Sequence, residues 1–273
     1  MISKIKKPLK KFIPYGIGVK LRGYWQRIMG FYYSGSRYEC PYCRRKFRKL
    51  LPGGEKHAVI SEKEIIGSGF RLNAVCPRCY STDRDRLLFV FLKHKGLFSS
   101  VAKVLHVAPE GSLRVYIQKH TDIEYITGDK HTEGYNDYYY ERGVTQLDIT
   151  ELPFNNESFD TIICNHVLEH IVDDQKAMRE LYRVLKTGGW AVLQVPYSPK
   201  LETTFEDKTL LTDSDREKYY GQFDHVRIYG SDYTSRLENA GFRVSIIELG
   251  SDKYPELIKY AVNPLEKIFL ATK

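Results

Sequence analysis

The stretch "LDITELPFNNESFDTIICNHVLEHIVDDQKAMRELYRVLKTGGWAVLQVP", Leu147 to Pro196, changes its hydrophobic rhythm twice. Phe159 to Val167 is nearly continuously apolar and rich in β-branched residues, as a strand covered on both faces is. From Asp173 the period becomes helical. Ala177, Leu181, Val184 and Leu185 share one face, Asp173 or Asp174 supplies the cap, and Gly188 is the stop before a strand starting at Trp190. The rhythm continues outward on both sides. "KVLHVAP" (from Lys103), "IEYITGD" (from Ile123) and "VTQLDI" (from Val144) read as strands. After the central stretch, "SDYTSRLENAGF" repeats the capped helix, with Ser231 or Asp232 as cap and Gly241 as stop, and "RVSIIEL" and "KIFLATK" read as closing strands. The class is therefore α/β, with an open, doubly covered, mostly parallel sheet.

In such sheets ligands collect beyond the carboxyl ends of the strands, where strand order reverses. Those tips are the turn from His106 to Ser112, Asp129, Asp148 with Ile149, Asn165 with His166, and Pro196 with Tyr197. Asp129 stands eighteen residues beyond Gly111, the spacing at which an acid ending the second strand accepts both hydroxyls of a ribose. Cys164 lies within an apolar strand and reads as a small buried hydrophobe.

Upstream, "CPYC" (Cys40 to Cys43) and "CPRC" (Cys76 to Cys79) are two Cys-x-x-Cys pairs. Together they offer four thiolates to one tetrahedral ion, which points to a structural Zn2+ ribbon. Disulfides are disfavoured in a reducing compartment, and a thioredoxin-like redox site would need one such pair. Between the pairs, "HAVISE" and "GFRLNAV" read as short strands, and "DRDRLLFVFLKHKGLF" (Asp83 to Phe98) as a helix linking ribbon to sheet.

The formal charge is +8, but residues 1–50 hold fourteen Lys and Arg against the single acid Glu39. Basicity at one end implies an anionic partner there, phosphate backbone or membrane surface, or a solvated arm. Leu21, Trp25, Ile28 and Tyr32 recur at helical spacing among basic residues, as do Ile2, Ile5, Leu9 and Phe12 less cleanly. No apolar run reaches the length needed to span a bilayer and the start lacks a secretory leader pattern, so a cytoplasmic location is expected, peripheral at most to the inner membrane face.

The order of these pieces resembles the class I S-adenosylmethionine-dependent methyltransferases (methyltransferase type 11-like) over residues 100–273, most specifically in the stretch quoted first. "NAVCPRCYSTDRDRLL", "VLHVAPEGSL" and "YYGQFDHVRIYGSDYTSRLENAGF" are similar to a bacterial subgroup with a zinc ribbon before that domain. The resemblance implies a Rossmann-like seven-stranded methyltransferase sheet, mostly parallel with one antiparallel strand. It implies S-adenosylmethionine as methyl donor, bound by His106, Ala108, Glu110 and Gly111 beneath its methionine part, Asp129 at the ribose, Asp148 and Ile149 at the adenine, and Asn165 and His166 where donor and acceptor meet. This turn departs from the family, which places an acid at the position of His106 and glycines at Ala108, Glu110 and Ser112. A sulfonium nucleoside has no phosphate to seat on bare backbone, so small Ala108, the turn-fixing Pro109 and an acid at Glu110 for the ammonium suit it.

The resulting division is a basic amphipathic segment (1–35), a zinc ribbon (36–82, metal ligands Cys40, Cys43, Cys76, Cys79), a linking helix (83–99) and the methyltransferase domain (100–273). The segment 198–230 is long and polar for a connection and reads as an acceptor-side insertion. Within it His225 is the first choice for general base or acceptor contact and Glu206 the second; His170 reads as an orienting group. The expected reaction is methyl transfer to a hydroxyl or amine of a small-molecule, saccharide or glycan-intermediate acceptor. The alternatives are an RNA methyltransferase gripping phosphates with the ribbon and basic arm, with Tyr197 or the cluster "YNDYYYERG" stacking on bases, and an inactive binding protein of the same fold.

Overall fold

The computed structural model describes residues 15–130 and 143–273. The first amphipathic piece, Ile2 to Phe12, and all of the tyrosine cluster but Gly143 lie outside the described residues. The chain enters through α1 (Tyr15–Tyr32) and the antiparallel hairpin of β1 (Ser34–Glu39) and β2 (Lys46–Phe47). A second antiparallel pair, β3 (Leu51–Gly53) with β4 (Arg71–Val75), brackets α2 (Ala58–Glu62). Then follow α3 (Asp83–His94), β5 (Ala102–Val107), α4 (Gly111–Ile117), β6 (Ile123–Asp129), β7 (Thr145–Gln146), β8 (Phe159–Asn165), α5 (Asp174–Val184) and β9 (Leu185–Gln194). The chain ends with α6 (Asp213–Tyr220), α7 (Tyr233–Asn239), β10 (Arg243–Ile247), α8 (Glu256–Lys259) and β11 (Ile268–Thr272).

The seven-stranded sheet runs β10-β11-β9-β8-β5-β6-β7, with β11 antiparallel to both neighbours and every other pair parallel. From β5 the chain builds outward through β6 and β7, then returns to β8 on the other side, so strand order reverses between β5 and β8. Alternation along the strands makes two cores. Leu105, Val107, Ile162, Cys164 and Leu193 face Ala177, Met178 and Leu181 of α5 and Leu237 of α7. Val104, Ile163 and Val192 point the other way, onto α3 and α4.

Local chemistry explains the helix ends. Asp173 caps α5 by accepting from Lys176 N at 2.9 Å. Thr82 and Asp85 form a reciprocal capping box on α3, and Gly96 leaves that helix at φ 84°. Strand β9 begins earlier than Trp190, at Leu185, but its register against β8 shifts and regular pairing resumes at Thr161↔Trp190.

The segment "HAVISE" is helical, as α2, where a strand was expected. A strand would send Val59 and Ile60 to opposite faces. The fold needs both on one side, in a third core with Ile65, Tyr220 and Ile228. That core joins the segment between the two cysteine pairs to the insertion at 198–230, and Ile66 and Tyr197 exchange backbone hydrogen bonds of 2.9 and 3.1 Å. The segment carrying the cysteine pairs is thus sewn to the sheet. Fully buried Arg86 adds to the seam: its guanidinium donates to the carbonyls of Ser81 and Ala74 on one side and of Tyr260 and Ala261 on the other. Truncating it would leave buried acceptors unpaired, at about 1–3 kcal/mol each.

Helix α1 leaves its apolar residues in solvent. Trp25 and Phe31 are 53% and 84% exposed, and Leu21, Tyr24 and Ile28 are exposed beside Lys20 and Arg22. No helix among the described residues is long and apolar enough to cross a membrane.

Candidate active site at the strand tips

Strand β5 makes its last ladder bond through Ala108 N to Gly128 O at 2.8 Å, and the chain then turns with Ala108 at φ 45°. A residue with a Cβ pays about 1–2 kcal/mol in this region, so the turn takes the path a glycine would take without having one. Pro109 follows, and Glu110 stands at the N-cap of α4 without capping it. Its carboxylate instead folds back over β5. Oε2 meets His106 Nε2 at 2.7 Å, and Oε1 accepts from Asn165 Nδ2 at 3.0 Å. His106 is fully buried and its Nδ1 meets the Tyr125 hydroxyl at 2.7 Å. Burial alone would raise the Glu110 carboxyl, but facing His106 and the Asn165 hydrogen bond bring it below its ordinary value. An ionised carboxylate thus lies at the point where strand order reverses. Beside it Asn165 Oδ1 is buried with no hydrogen-bond partner.

The neighbouring tips carry the other two acids. Asp129 ends β6, its carboxylate accepting from Lys130 N at 2.8 Å. Asp148 stands two residues past β7, where Oδ1 accepts from Thr150 N and Oγ1 at 2.9 and 2.7 Å and Oδ2 from Lys130 Nζ at 2.7 Å. The Lys130 ammonium, aided by Thr150, holds the Asp148 carboxyl at about 2. Gly128 is required between them, because a Cβ there would sit 2.7 Å from Leu147. Ile149 is buried behind Asp148.

On the other side of β5, His166 follows β8 at φ 54°. Its ring lies 3.1 Å from Arg84 Nη1 and 3.5 Å from Glu169 Oε1. The next turn, Leu168–His170, sets the His170 ring edge-on to that of His225 at 4.7 Å. His225 comes from the insertion and is 4% exposed; burial lowers its pKa to about 4, leaving it neutral at pH 7. Glu206, the other acid expected near the acceptor, is joined instead to Arg227 at 3.1 Å and Arg236 at 3.8 Å. Arg227 donates its remaining hydrogen bonds to the carbonyls of Leu168, Ile171 and Val172, so this pair fastens the insertion to the turn after β8. Tyr197 is partly buried, edge-on to Phe269 at 5.3 Å. Cys164 is fully buried, and burial pushes its thiol up.

Three residues of this region escaped the reading of the sequence. Glu169 was marked by its place in "HVLEH", an acid between histidines three before and one after, which one helical turn clusters. Tyr125 and Arg84 carried no local mark, since each reaches the site from a distant element.

Near Arg84, Glu266 is 7% exposed and its Oε1 has no hydrogen-bond partner. Burial raises its carboxyl to about 7, against the pull of Arg84 and Arg71. An acid raised in the folded state takes up a proton on folding between its unfolded value of 4.5 and about 7, so stability falls as pH rises through that window. Glu266→Gln is therefore expected to be neutral at pH 4 and stabilising by about 3 kcal/mol at pH 8. Denaturant melts at both values check this; equal effects at the two would contradict it.

At the two cysteine pairs, Cys40 Sγ is 3.5 Å from Cys79 Sγ and Cys43 Sγ 3.8 Å from Cys76 Sγ, and the four sulfurs lie within 4.8 Å of one another. Zinc–sulfur bonds of about 2.3 Å give a tetrahedral edge of about 3.8 Å, so the set fits one ion. The two loops are copies of each other. Arg44 and Tyr80 take φ 54° and 63°, and both donate to the carbonyl of the first cysteine of their pair, at 2.8 and 3.0 Å. Cys79 O accepts from Ser112 Oγ at 3.1 Å, which ties the second cysteine pair to the turn after β5.

Residues 119–193 match a family model described as "Methyltransferase domain". The match runs from just past α4 through β9, so this part of the seven-stranded sheet is similar to a methyltransferase domain. Among curated proteins the chain is similar to the ubiquinone/menaquinone biosynthesis C-methyltransferase UbiE of Idiomarina loihiensis, 30% identical over 36% of this chain and 44% of the relative. It is also similar to the uncharacterized methyltransferase YcgJ of Bacillus subtilis, 32% identical over 29% of each chain. The chain thus spans less than half the length of these relatives. Among solved structures, the S-adenosylmethionine-dependent methyltransferase of Mesorhizobium loti aligns with TM-score 0.46 and 15% identity over 68% of this chain and 97% of that one. The donor that this similarity implies is an amino acid joined to a nucleoside. An ionised Glu110 beside the unpartnered Asn165 Oδ1 fits its ammonium, and carboxylates on the two adjoining tips fit its sugar and base.

Proposed function

We propose that the chain is an S-adenosylmethionine-dependent methyltransferase acting on a hydroxyl of a small-molecule, saccharide or glycan-intermediate acceptor. The observation that carries the reading is the Glu110 carboxylate, held by His106 and Asn165 at the reversal of strand order. When bound, the donor supplies a methyl carbon activated by its sulfonium. Glu110 and Asn165 hold the ammonium, Asp129 the ribose hydroxyls, and Asp148 with Ile149 the adenine. Methyl transfer is an in-line displacement, so the chain's main work is alignment and exclusion of water. The insertion at 198–230, locked to α2 through the third core, covers the acceptor side and presents His225, neutral at pH 7, to the acceptor. The four cysteines hold Zn2+, which shapes the ribbon that buttresses the donor turn. The exposed apolar face of α1, flanked by basic side chains, suits an anionic membrane surface where a lipid-borne glycan would be met.

One observation favours a second reading, an RNA acceptor: Arg44, Arg45, Lys46, Arg48 and Lys49 are all exposed on the ribbon. Incubation with methyl-labelled S-adenosylmethionine and separate membrane, soluble and RNA fractions decides between them. Label in membrane-derived or soluble saccharide is expected; label confined to RNA would replace the leading reading with the second.

A further inference from the structure

On the acceptor side the fold gathers side chains that donor binding does not use. Glu169 and His170 lie in the turn after β8, His225 in the insertion, and their ligand-capable atoms lie within 4.8 Å of one another. Glu169 is 1% exposed. Its Oε1 is 3.5 Å from His166 Nδ1 and 3.9 Å from His170 Nε2, while Oε2 is buried with no hydrogen-bond partner. Among the described residues no lysine or arginine forms an ion pair with this carboxylate; nearby Arg227 pairs with Asp174 and Glu206, and Arg84 meets the His166 ring. A buried carboxylate oxygen without a partner is costly, and what surrounds it is imidazole.

We propose that Glu169, His170 and His225 bind one divalent first-row transition-metal ion, separate from the cysteine site, on the acceptor side of the donor pocket. Two imidazoles and one carboxylate form a donor set for such ions and leave coordination positions open. The outer contacts are those of a ligand. His170 Nδ1 lies 3.2 Å from Asp224 O and 3.5 Å from Asp224 Oδ2, which orients the ring with Nε2 toward Glu169. Val226 N donates to Glu169 O at 2.9 Å, which fixes the insertion's backbone against the turn that carries the acid. Bonds of about 2.1 Å place neighbouring ligand atoms about 3 to 3.5 Å apart, so small side-chain rotations close the set around an ion.

The consequence for the reaction rests on the methyltransferase reading. An acceptor hydroxyl at an open position is made more acidic by the cation. It yields its proton to solvent, its oxygen bonds to the methyl carbon, and the carbon–sulfur bond breaks to leave the neutral thioether. His225 is then a ligand, and no side chain needs to take the proton.

The test is titration with Mn2+ of the full chain brought to one zinc per chain by metal analysis, so that only the cysteine site is filled, read as loss of the free-ion electron paramagnetic resonance signal. Mn2+ favours carboxylate oxygen over thiolate, so the cysteine site does not compete. One Mn2+ per chain is expected, with affinity weakened about 100-fold or more in Glu169→Gln and in His225→Gln. If His225→Gln fails a circular-dichroism melt, His170→Gln replaces it. Absence of Mn2+ binding by the parent chain, or parent-like binding by the variants, would overturn the site. S-adenosylhomocysteine binding is measured on the same samples: Mn2+ retention without it supports the metal site while removing the methyltransferase reading.

Discussion

Replacing Cys76 by serine is expected to lower the zinc content from about one per chain to near zero and to abolish the cooperative melt of the ribbon. Cys40 and Cys76 are fully buried and pack with Tyr42, Phe47 and Leu50 against the sheet's second core, so the thiolates would be left unpaired inside it without an ion. A structural zinc contributes about 10–16 kcal/mol, as much as the whole stability of an ordinary domain, about 5–15 kcal/mol. The loss should spread. The loop of the second cysteine pair accepts from Ser112, and Arg86 and Arg84 run from α3 to the C-terminal turn and to His166. S-adenosylhomocysteine affinity should therefore fall with zinc content. Metal analysis and a thermal melt on the same sample check this; a zinc-free variant that melts like the parent would show that the cysteines do not need an ion.

Glu110→Gln is expected to weaken S-adenosylhomocysteine binding about 30- to 200-fold, the equivalent of about 2–3 kcal/mol for a charge-assisted hydrogen bond. Glutamine keeps the length of the side chain and most of its packing over His106. What it removes is the negative charge that faces the ligand's ammonium. The variant should melt within a few degrees of the parent, which separates a binding defect from an unfolded site. Calorimetric affinity within threefold of the parent would place the ammonium elsewhere.

Much of the sheet was legible because local signals agreed. An apolar run, a helical period capped at Asp173 and a second apolar run mark a buried βαβ unit whatever surrounds them, and the structure has β8, α5 and β9 there; the helix stops at Val184, and Gly188, expected as its stop, lies inside β9. Acids at the ends of β6 and beyond β7 were also readable, since strand tips follow from strand limits. The misread segment was "HAVISE", whose β-branched pair suits a strand in isolation. Its conformation is decided by a core shared with Tyr220 and Ile228, more than 150 residues away. The donor turn was legible in place and not in detail. Nothing local announces that Ala108 takes a left-handed conformation or that Glu110 turns back to His106, because both depend on β8 lying alongside with Asn165. The cluster at Glu169 was missed for the same reason: two of its members are adjacent in sequence, but the third arrives with the insertion.

Titration calorimetry of the full chain with S-adenosylhomocysteine tests the central claim most directly. One equivalent should bind with micromolar affinity, and Asp129→Ala should lose it along with Glu110→Gln. Folded, zinc-loaded protein that gives no heat at about millimolar ligand would contradict the account, leaving the strand tips without the nucleoside they are argued to hold.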